Sequence, residues 1–241
     1  AVQAAEGRLS ENKYTEYSRL VLALTAIGRD PRDVGGYNLL VPLADLERAT
    51  LQGVNGAIFA LLALDSAQYE IPENPDAAVQ ATREGYVKEI LSRQDDDGGW
   101  GLGSGASDVD LTAMALQALA KYRRDTAVSD AVERGLAWLA WQQEPDGTFI
   151  SWEEVNSESV CQVIVALTEL GISLDDERFA KHGATLEDVL LRFAQEDGSF
   201  AHTLDGEADL MATTQALYAL AAIQRQRDGK TTLYDMSDVS K

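Results

Sequence analysis

Five stretches of the chain carry small and aliphatic residues on nearly every face of a helical projection. They are residues 15–28 (TEYSRLVLALTAIG), 53–65 (GVNGAIFALLALD), 110–122 (DLTAMALQALAKY), 158–171 (ESVCQVIVALTELG) and 210–223 (LMATTQALYALAAI). A helix that is hydrophobic all round is buried on all sides, and small side chains let its neighbours approach closely. Between these stretches lie segments with one apolar and one charged face: residues 39–50 (LLVPLADLERAT), 86–94 (YVKEILSRQ), 136–143 (LAWLAWQQ) and 190–195 (LLRFAQ). The alternation predicts an all-α fold of helical hairpins, with an inner ring of buried helices and an outer ring of amphipathic ones. Such hairpins stack into an open solenoid or close into an α/α toroid. Strand-like alternation is nearly absent, with GTFISW (147–152) its best candidate. Pro72 and Pro75 discourage helix over 72–81 and predict a loop within the array.

The pattern is also a repeat. Gln94 to Trp100 (QDDDGGW), Gln143 to Phe149 (QEPDGTF) and Gln195 to Phe200 (QEDGSF) each read Gln, Asp-Gly, one residue, aromatic, roughly 50 residues apart, the scale of a helix-hairpin repeat. Asp-Gly suits a tight turn, because Asp bonds its own backbone and Gly accepts positive φ. The pairs Ala23-Leu24, Ala63-Leu64, Ala118-Leu119, Ala166-Leu167 and Ala219-Leu220 bring the inner helices into register. That register sets Thr15, Asn55, Asp110, Glu158 and Met211 at equivalent helix starts, with Asp108, Asn156 and Asp209 just outside. One domain over 1–241 with a tail over 229–241 is expected, excised from a larger precursor because the opening AVQAAEGRLSENK reads as mid-protein.

Charge narrows the partners. The formal net charge is -20, so nucleic acid and anionic membrane surfaces are excluded as natural partners. No apolar run approaches the roughly 18 residues of a membrane helix, so no membrane insertion is expected of this domain. Cys161 is the one cysteine, which excludes a disulfide framework and a Cys-rich zinc site.

RGLAWLAWQQEPDGTF, from Arg134 to Phe149, resembles the QW repeat of squalene cyclases. The array from about Ser10 to Asp228 is similar to the α/α toroid of terpenoid cyclases, protein prenyltransferase β subunits and cobalamin carriers of the transcobalamin group. The phrases NKYTEYSR, SDVDLTAMALQAL, GEADLMATTQALYAL and TTLYDMSD look most like prenyltransferase-repeat domains of bacterial cell-surface proteins, often joined to transcobalamin-like modules.

The resemblance implies chemistry that can be compared with the residues. Class II cyclases protonate an alkene with the middle Asp of Asp-x-Asp-Asp. DVDL keeps Asp108 and Asp110 but carries Leu111 at the last position, and aromatics, which stabilise carbocations, make up 7% of the chain. The zinc of protein prenyltransferases needs Asp, Cys and His. Cys161 has Ser159 where the Asp belongs, and neither His182 nor His202 has ligand spacing to it, so no metal is expected. DDDG at 95–98 lacks the alternating oxygens of a calcium loop and reads as a solvated turn, and GLGSG at 101–105 lacks the Lys of a phosphate loop. Asp108, Asp110 and their counterparts read first as helix caps. Together the inner-helix starts form an acidic rim of Asp108, Asp110, Asn156, Glu158, Glu207 and Asp209, with Trp100, Trp152 and His202 from the same loops. The function expected is a non-catalytic module that binds a small molecule, glycan or protein partner at this rim, on an extracellular or cell-surface bacterial protein. It needs no cofactor, and a corrinoid is one candidate ligand. The alternative is an isoprenoid enzyme, cyclase-like or prenyltransferase-like, with Asp110 as its acid.

Overall fold

A computed structural model describes residues 2–103 and 105–239. The expected helices are present: α1 (Thr15–Ala26), α2 (Leu46–Ala49), α3 (Val54–Asp65), α4 (Arg83–Ser92), α5 (Val109–Leu119), α6 (Thr126–Gln142), α7 (Ser157–Glu169), α8 (Leu186–Leu191) and α9 (Leu210–Arg227). The odd-numbered members are the small-residue stretches, and the even-numbered ones are the amphipathic segments. Among the described residues, strand is confined to two antiparallel two-residue ladders. One pairs β1 (Ile150–Ser151) with β2 (Glu154–Val155), inside and beside GTFISW, and the other pairs β3 (Phe200–Ala201) with β4 (Ala208–Asp209). Among the described residues no helix is long and apolar enough to cross a membrane.

The chain divides into two compact units, Ala1–Arg93 with Tyr234–Lys241, and Gln94–Leu233. In the first, α3 packs against α1 and α4. The outer segment expected over 39–50 is only a 310 turn (Pro42–Ala44) and the single turn of α2. Asp45 separates them by turning to extended backbone and capping the Arg48 N–H. The 72–81 loop forms as expected and is pinned: Leu46 N–H donates to the Val79 carbonyl (2.9 Å) and Ala81 N–H to that of Ala44 (2.7 Å). Part of the expected tail is docked in this unit, where Met236 N–H donates to the Ser66 carbonyl (2.7 Å).

In the second unit α7 lies between α5 and α9, and α6 and α8 cover α5 and α7. Every residue of α7 is buried, cysteine included. By contrast α9 leaves Leu210, Met211 and Leu217 exposed, because it packs on α7 from one side, so the expectation of all-round burial fails there. The three inner helices run parallel. At their C-terminal ends Arg123 Nη2 donates to the Leu170 carbonyl (2.8 Å) and Gln226 Nε2 to that of Ile172 (3.0 Å). At mid-height a polar ladder crosses them. Gln117 Nε2 donates to Gln162 Oε1 (3.0 Å), and Gln162 Nε2 donates to Gln215 Oε1 (3.0 Å) and to the Tyr218 hydroxyl.

The repeated turn explains the repeated motif. Gly98, Gly147 and Gly198 have φ of 96°, 89° and 87°, open to glycine without strain. Asp97, Asp146 and Asp197 each accept from the backbone N–H two residues on, at 3.0, 3.1 and 3.0 Å. Gln94 and Gln143 each donate through Nε2 across their turn, to the Gly98 and Gly147 carbonyls (2.8 and 3.0 Å). Each also reaches outward, to the carbonyls of Ala131 (2.8 Å) and Phe179 (2.9 Å). The third turn differs from the alignment. Gln195 N–H bonds to the Ser199 carbonyl, as Asp95 N–H bonds to that of Gly99, so Ala194 and not Gln195 occupies the place of Gln94.

Candidate functional site

The N-terminal ends of α5, α7 and α9 gather most of the residues singled out from the sequence. Each start is capped by the residue the repeat register placed just outside it. Asp108 Oδ1 accepts from the N–H groups of Asp110 (3.0 Å) and Leu111 (3.1 Å), Asn156 Oδ1 from Ser159 (2.8 Å), and Asp209 Oδ1 from Ala212 (2.8 Å). These bonds satisfy backbone donors that a helix start leaves free. Asp108 Oδ2 also accepts from the Ser151 hydroxyl (2.7 Å), which ties α5 to the β1–β2 hairpin before α7.

Capping therefore accounts for Asp108 and leaves Asp110 without that role. Asp110 lies one turn-step further in and is half-buried, with Oδ1 fully buried and without a hydrogen-bond partner. Burial pushes its pKa up to about 6. The negative charges of Asp108 and Glu158 add to the rise, while the hydroxyls of Ser159 and Ser151 oppose it. Ser159 lies close enough for that influence, yet its Oγ makes no hydrogen bond within normal geometry, so the carboxyl oxygen and the hydroxyl both remain unsatisfied.

Glu158 is the α7 counterpart of Asp110. Its side chain is 7% exposed. Oε2 lies 2.8 Å from His202 Nδ1 and accepts from the Ser157 hydroxyl (3.3 Å), whereas Oε1 is buried without a partner. His202 Nε2 lies 3.3 Å from Glu154 Oε2. The backbone sets this arrangement. Ser157 N–H donates to the His202 carbonyl (2.9 Å) and Ser157 Oγ to that of Ala201 (2.8 Å), so the strand leading to α9 is bound to the start of α7. Burial works against a charged imidazole at His202, but the hydrogen bonds and charges of Glu158 and Glu154 outweigh it and raise the pKa.

Other expected rim residues lie elsewhere. Trp100 is fully buried, its N–H donating to Thr112 Oγ1 (2.9 Å), because the aromatic after Asp-Gly folds into the core between α5 and α6. It is therefore removed from the ligand-contacting set. Trp152 is 79% exposed at the tip of the β1–β2 turn with φ of 53°, and Glu207 is exposed before β4. Cys161 is buried, and burial together with the Glu158 and Asp110 charges pushes its thiol pKa up, which keeps it protonated. Among the described residues no group of three His, Cys, Asp or Glu side chains is placed to hold a metal. In the DDDG turn, Asp97 Oδ1 accepts from the Ser107 hydroxyl (2.7 Å) and Oδ2 from Trp138 Nε1 (3.0 Å).

Ser151, Glu154 and Ser159 belong to this cluster and were not singled out from the sequence. Their only signal is position: Ser159 follows Glu158, and Ser151 and Glu154 occupy the hairpin that leads into α7.

The family model of the prenyltransferase alpha-alpha toroid domain matches residues 46–239. The chain is similar to drimenyl diphosphate synthase from Streptomyces showdoensis, 30% identical over 165 residues, which are 66% of this chain and 29% of that synthase. This relative overturns the expectation of a non-catalytic binding module, and neither finding points to cell-surface or transcobalamin-like kin. The expected α/α toroid class stands, and the chain belongs to the prenyltransferase alpha-alpha toroid family.

Proposed function

We propose that this chain carries the acid of a protonation-initiated isoprenoid cyclase, with Asp110 as the proton donor and a linear prenyl diphosphate as the substrate class. The observation that carries the reading is the Asp110 carboxyl, whose buried Oδ1 has no partner and whose pKa burial raises to about 6. A carboxyl whose pKa is raised to about 6 keeps a protonated fraction near neutral pH that an ordinary aspartate lacks, and that fraction can deliver a proton. The drimenyl diphosphate synthase relative supports the substrate class, since its product is a diphosphate of a cyclic isoprenoid.

In this reading Asp110 gives its proton to the terminal alkene. The resulting carbocation is attacked by the next double bond, which closes a ring and moves the cation to a new carbon; that cation loses a neighbouring proton to water and becomes an alkene, while the diphosphate remains attached. Asp108 holds the start of α5 rigid and contributes negative charge that favours the protonated form of its neighbour. Leu111, where the cyclase motif has a further Asp, is buried and contributes apolar surroundings, and Glu158 contributes the second nearby charge.

The test is incubation of the protein with farnesyl diphosphate, followed by dephosphorylation and mass-spectrometric analysis of the alcohols. A cyclised product that rises as pH falls through about 6 and disappears in Asp110→Asn supports the proposal. No cyclised product from farnesyl or geranylgeranyl diphosphate, or an equally active Asp110→Asn, overturns it.

A further inference from the structure

An acid that gives its proton to a hydrocarbon ends each turnover as a carboxylate in a buried place. Asp110 Oδ1 is fully buried, so a proton returning to that oxygen passes through neighbouring protein groups. The structure contains a line of such groups from solvent to the α5–α7 contact. Glu154 is 58% exposed and His202 44% exposed, and the pair are joined at 3.3 Å. His202 joins Glu158 at 2.8 Å, and Glu158 ends in a buried, unpartnered Oε1. Glu158 begins α7 as Asp110 begins α5, and the two helices pack together. An orphaned carboxylate oxygen with its other oxygen bound to a half-exposed imidazole is a costly arrangement if its only role is structural.

We propose that Glu158 and His202 form a relay that returns protons from solvent to Asp110, the imidazole passing them inward to Glu158 and Glu158 to Asp110. This rests on the reading of Asp110 as the acid. A proton enters His202 at Nε2, beside Glu154, and one leaves from Nδ1 to Glu158 Oε2. Glu158, a carboxylate at rest, passes that same proton on to the Asp110 carboxylate and regains its charge. The net change is one proton moved from water to Asp110, and the half-exposed ring regains its starting tautomer by exchange with solvent. Glu158 and His202 are positioning residues here, since they act through Asp110. The ionisable groups near the relay are Asp108, which caps α5, Asp110 on α5, Glu154 on β2 and Cys161 on α7, whose thiol stays protonated. Cys161 therefore adds no charge to the relay.

The relay separates from a structural role in two measurements on His202→Gln and Glu158→Gln. The first is the carboxyl 13C titration of Asp110 in the substrate-free protein. The proposal expects the Asp110 titration to shift in both variants, and an unchanged titration in either one overturns it. The second is turnover of farnesyl diphosphate. The expected result is a tenfold or greater fall in kcat with KM within about twofold, partly restored by added imidazole in His202→Gln. A loss that imidazole does not restore, accompanied by a lowered melting temperature, means that His202 only braces the fold and overturns the relay. Glu154→Gln, at an exposed position, serves as the variant that keeps the fold; it should lower kcat less than His202→Gln, and a larger loss overturns the proposed direction of transfer. Linked titrations in a wild-type protein that cyclises nothing support the coupling of the three groups and sink the cyclase reading instead.

Discussion

His202 Nδ1 and Glu158 Oε2 lie 2.8 Å apart although 44 residues separate them in sequence. The contact exists because Ser157 at the start of α7 donates to the carbonyls of Ala201, in β3, and of His202, just after it, which carries the imidazole over the carboxylate. It joins two loops of the repeat at the end where Asp108 and Asp110 begin α5. The rim foreseen as an even ring of caps is therefore differentiated: three residues cap, and two carboxyls one turn-step inward are left with unsatisfied oxygens.

Asp110→Asn should stabilise the protein at high pH more than at low pH. The folded state raises the Asp110 pKa from 3.8 to about 6, so the native form binds this proton more tightly than the unfolded chain. Its favourable contribution is fully present below the unfolded pKa and is lost as pH rises through about 6, above which the charged form is penalised. Asn cannot titrate. The gain in the variant should approach on the order of 2–3 kcal/mol at pH 8 and shrink towards pH 5. Melting temperatures of both proteins at those two pH values decide it, and a difference that does not change with pH contradicts the burial assigned to this carboxyl.

Asp108→Ala should behave differently. It removes Oδ1, the single acceptor for two N–H groups in the first turn of α5, and Oδ2, the acceptor for the Ser151 hydroxyl. A lost cap costs about 1–2 kcal/mol, and Asp108→Asn should recover most of it because an amide oxygen still accepts. Urea midpoints at constant slope measure both. Equal losses in Ala and Asn would mean that charge, not capping geometry, is what Asp108 contributes.

The helices were legible from the small-residue stretches, and α3, α5 and α7 are buried as that pattern requires, whereas α1, with Tyr17, Ser18, Val21 and Thr25 as its buried residues, and α9 each keep an exposed face. The caps were legible too, since Asp108, Asn156 and Asp209 repeat in register. What escaped were relations fixed by loop paths. Trp100 looked like a rim residue because it follows an exposed Asp-Gly turn, yet Gly135 on α6 leaves the space that draws its ring inward. Gln195 matched Gln94 by identity, whereas the length of the turn gives that place to Ala194. The His202–Glu158–Glu154 line has no sequence signature, because it depends on two hairpins approaching one helix start.

Gly135→Ala isolates the packing of that aromatic. A methyl group there would lie 2.9 Å from Trp100 Cζ3 and 3.0 Å from Leu116 Cδ2, both in buried side chains. Replacing a mid-helix glycine by alanine favours the helix by up to about 1 kcal/mol. Overpacking a filled core costs about 1–3 kcal/mol, and with two buried side chains obliged to move, the clash should win. The variant should be destabilised by roughly 1–2 kcal/mol on this account, with a changed Trp fluorescence spectrum. A more stable variant would show that the α5–α6 contact is looser than its distances indicate.

The glutamine ladder ties the acid end to the rest of the unit. Gln162 accepts from Gln117 on α5 and donates to Gln215 and Tyr218 on α9, so one side chain sets the sliding position of three parallel helices. Removing one partner of a buried bond leaves the other unsatisfied at about 1–3 kcal/mol, whereas removing both leaves little to satisfy. Gln117→Leu should destabilise by that amount and Gln162→Leu by less, because Gln117 Nε2 also donates to the backbone carbonyl of residue 162 (3.0 Å) and the Tyr218 hydroxyl to Gln215 Oε1 (3.0 Å); the double variant should cost clearly less than their sum. Because Asp110 and Glu158 sit seven and four residues before these glutamines, a slipped register would also change how the two carboxyls face each other. The double variant should therefore regain stability without regaining the Asp110 titration of the wild type. If both return together, the ladder is a stabilising device alone, and the placement of the acid is set by the caps and by the hydroxyl of Ser151.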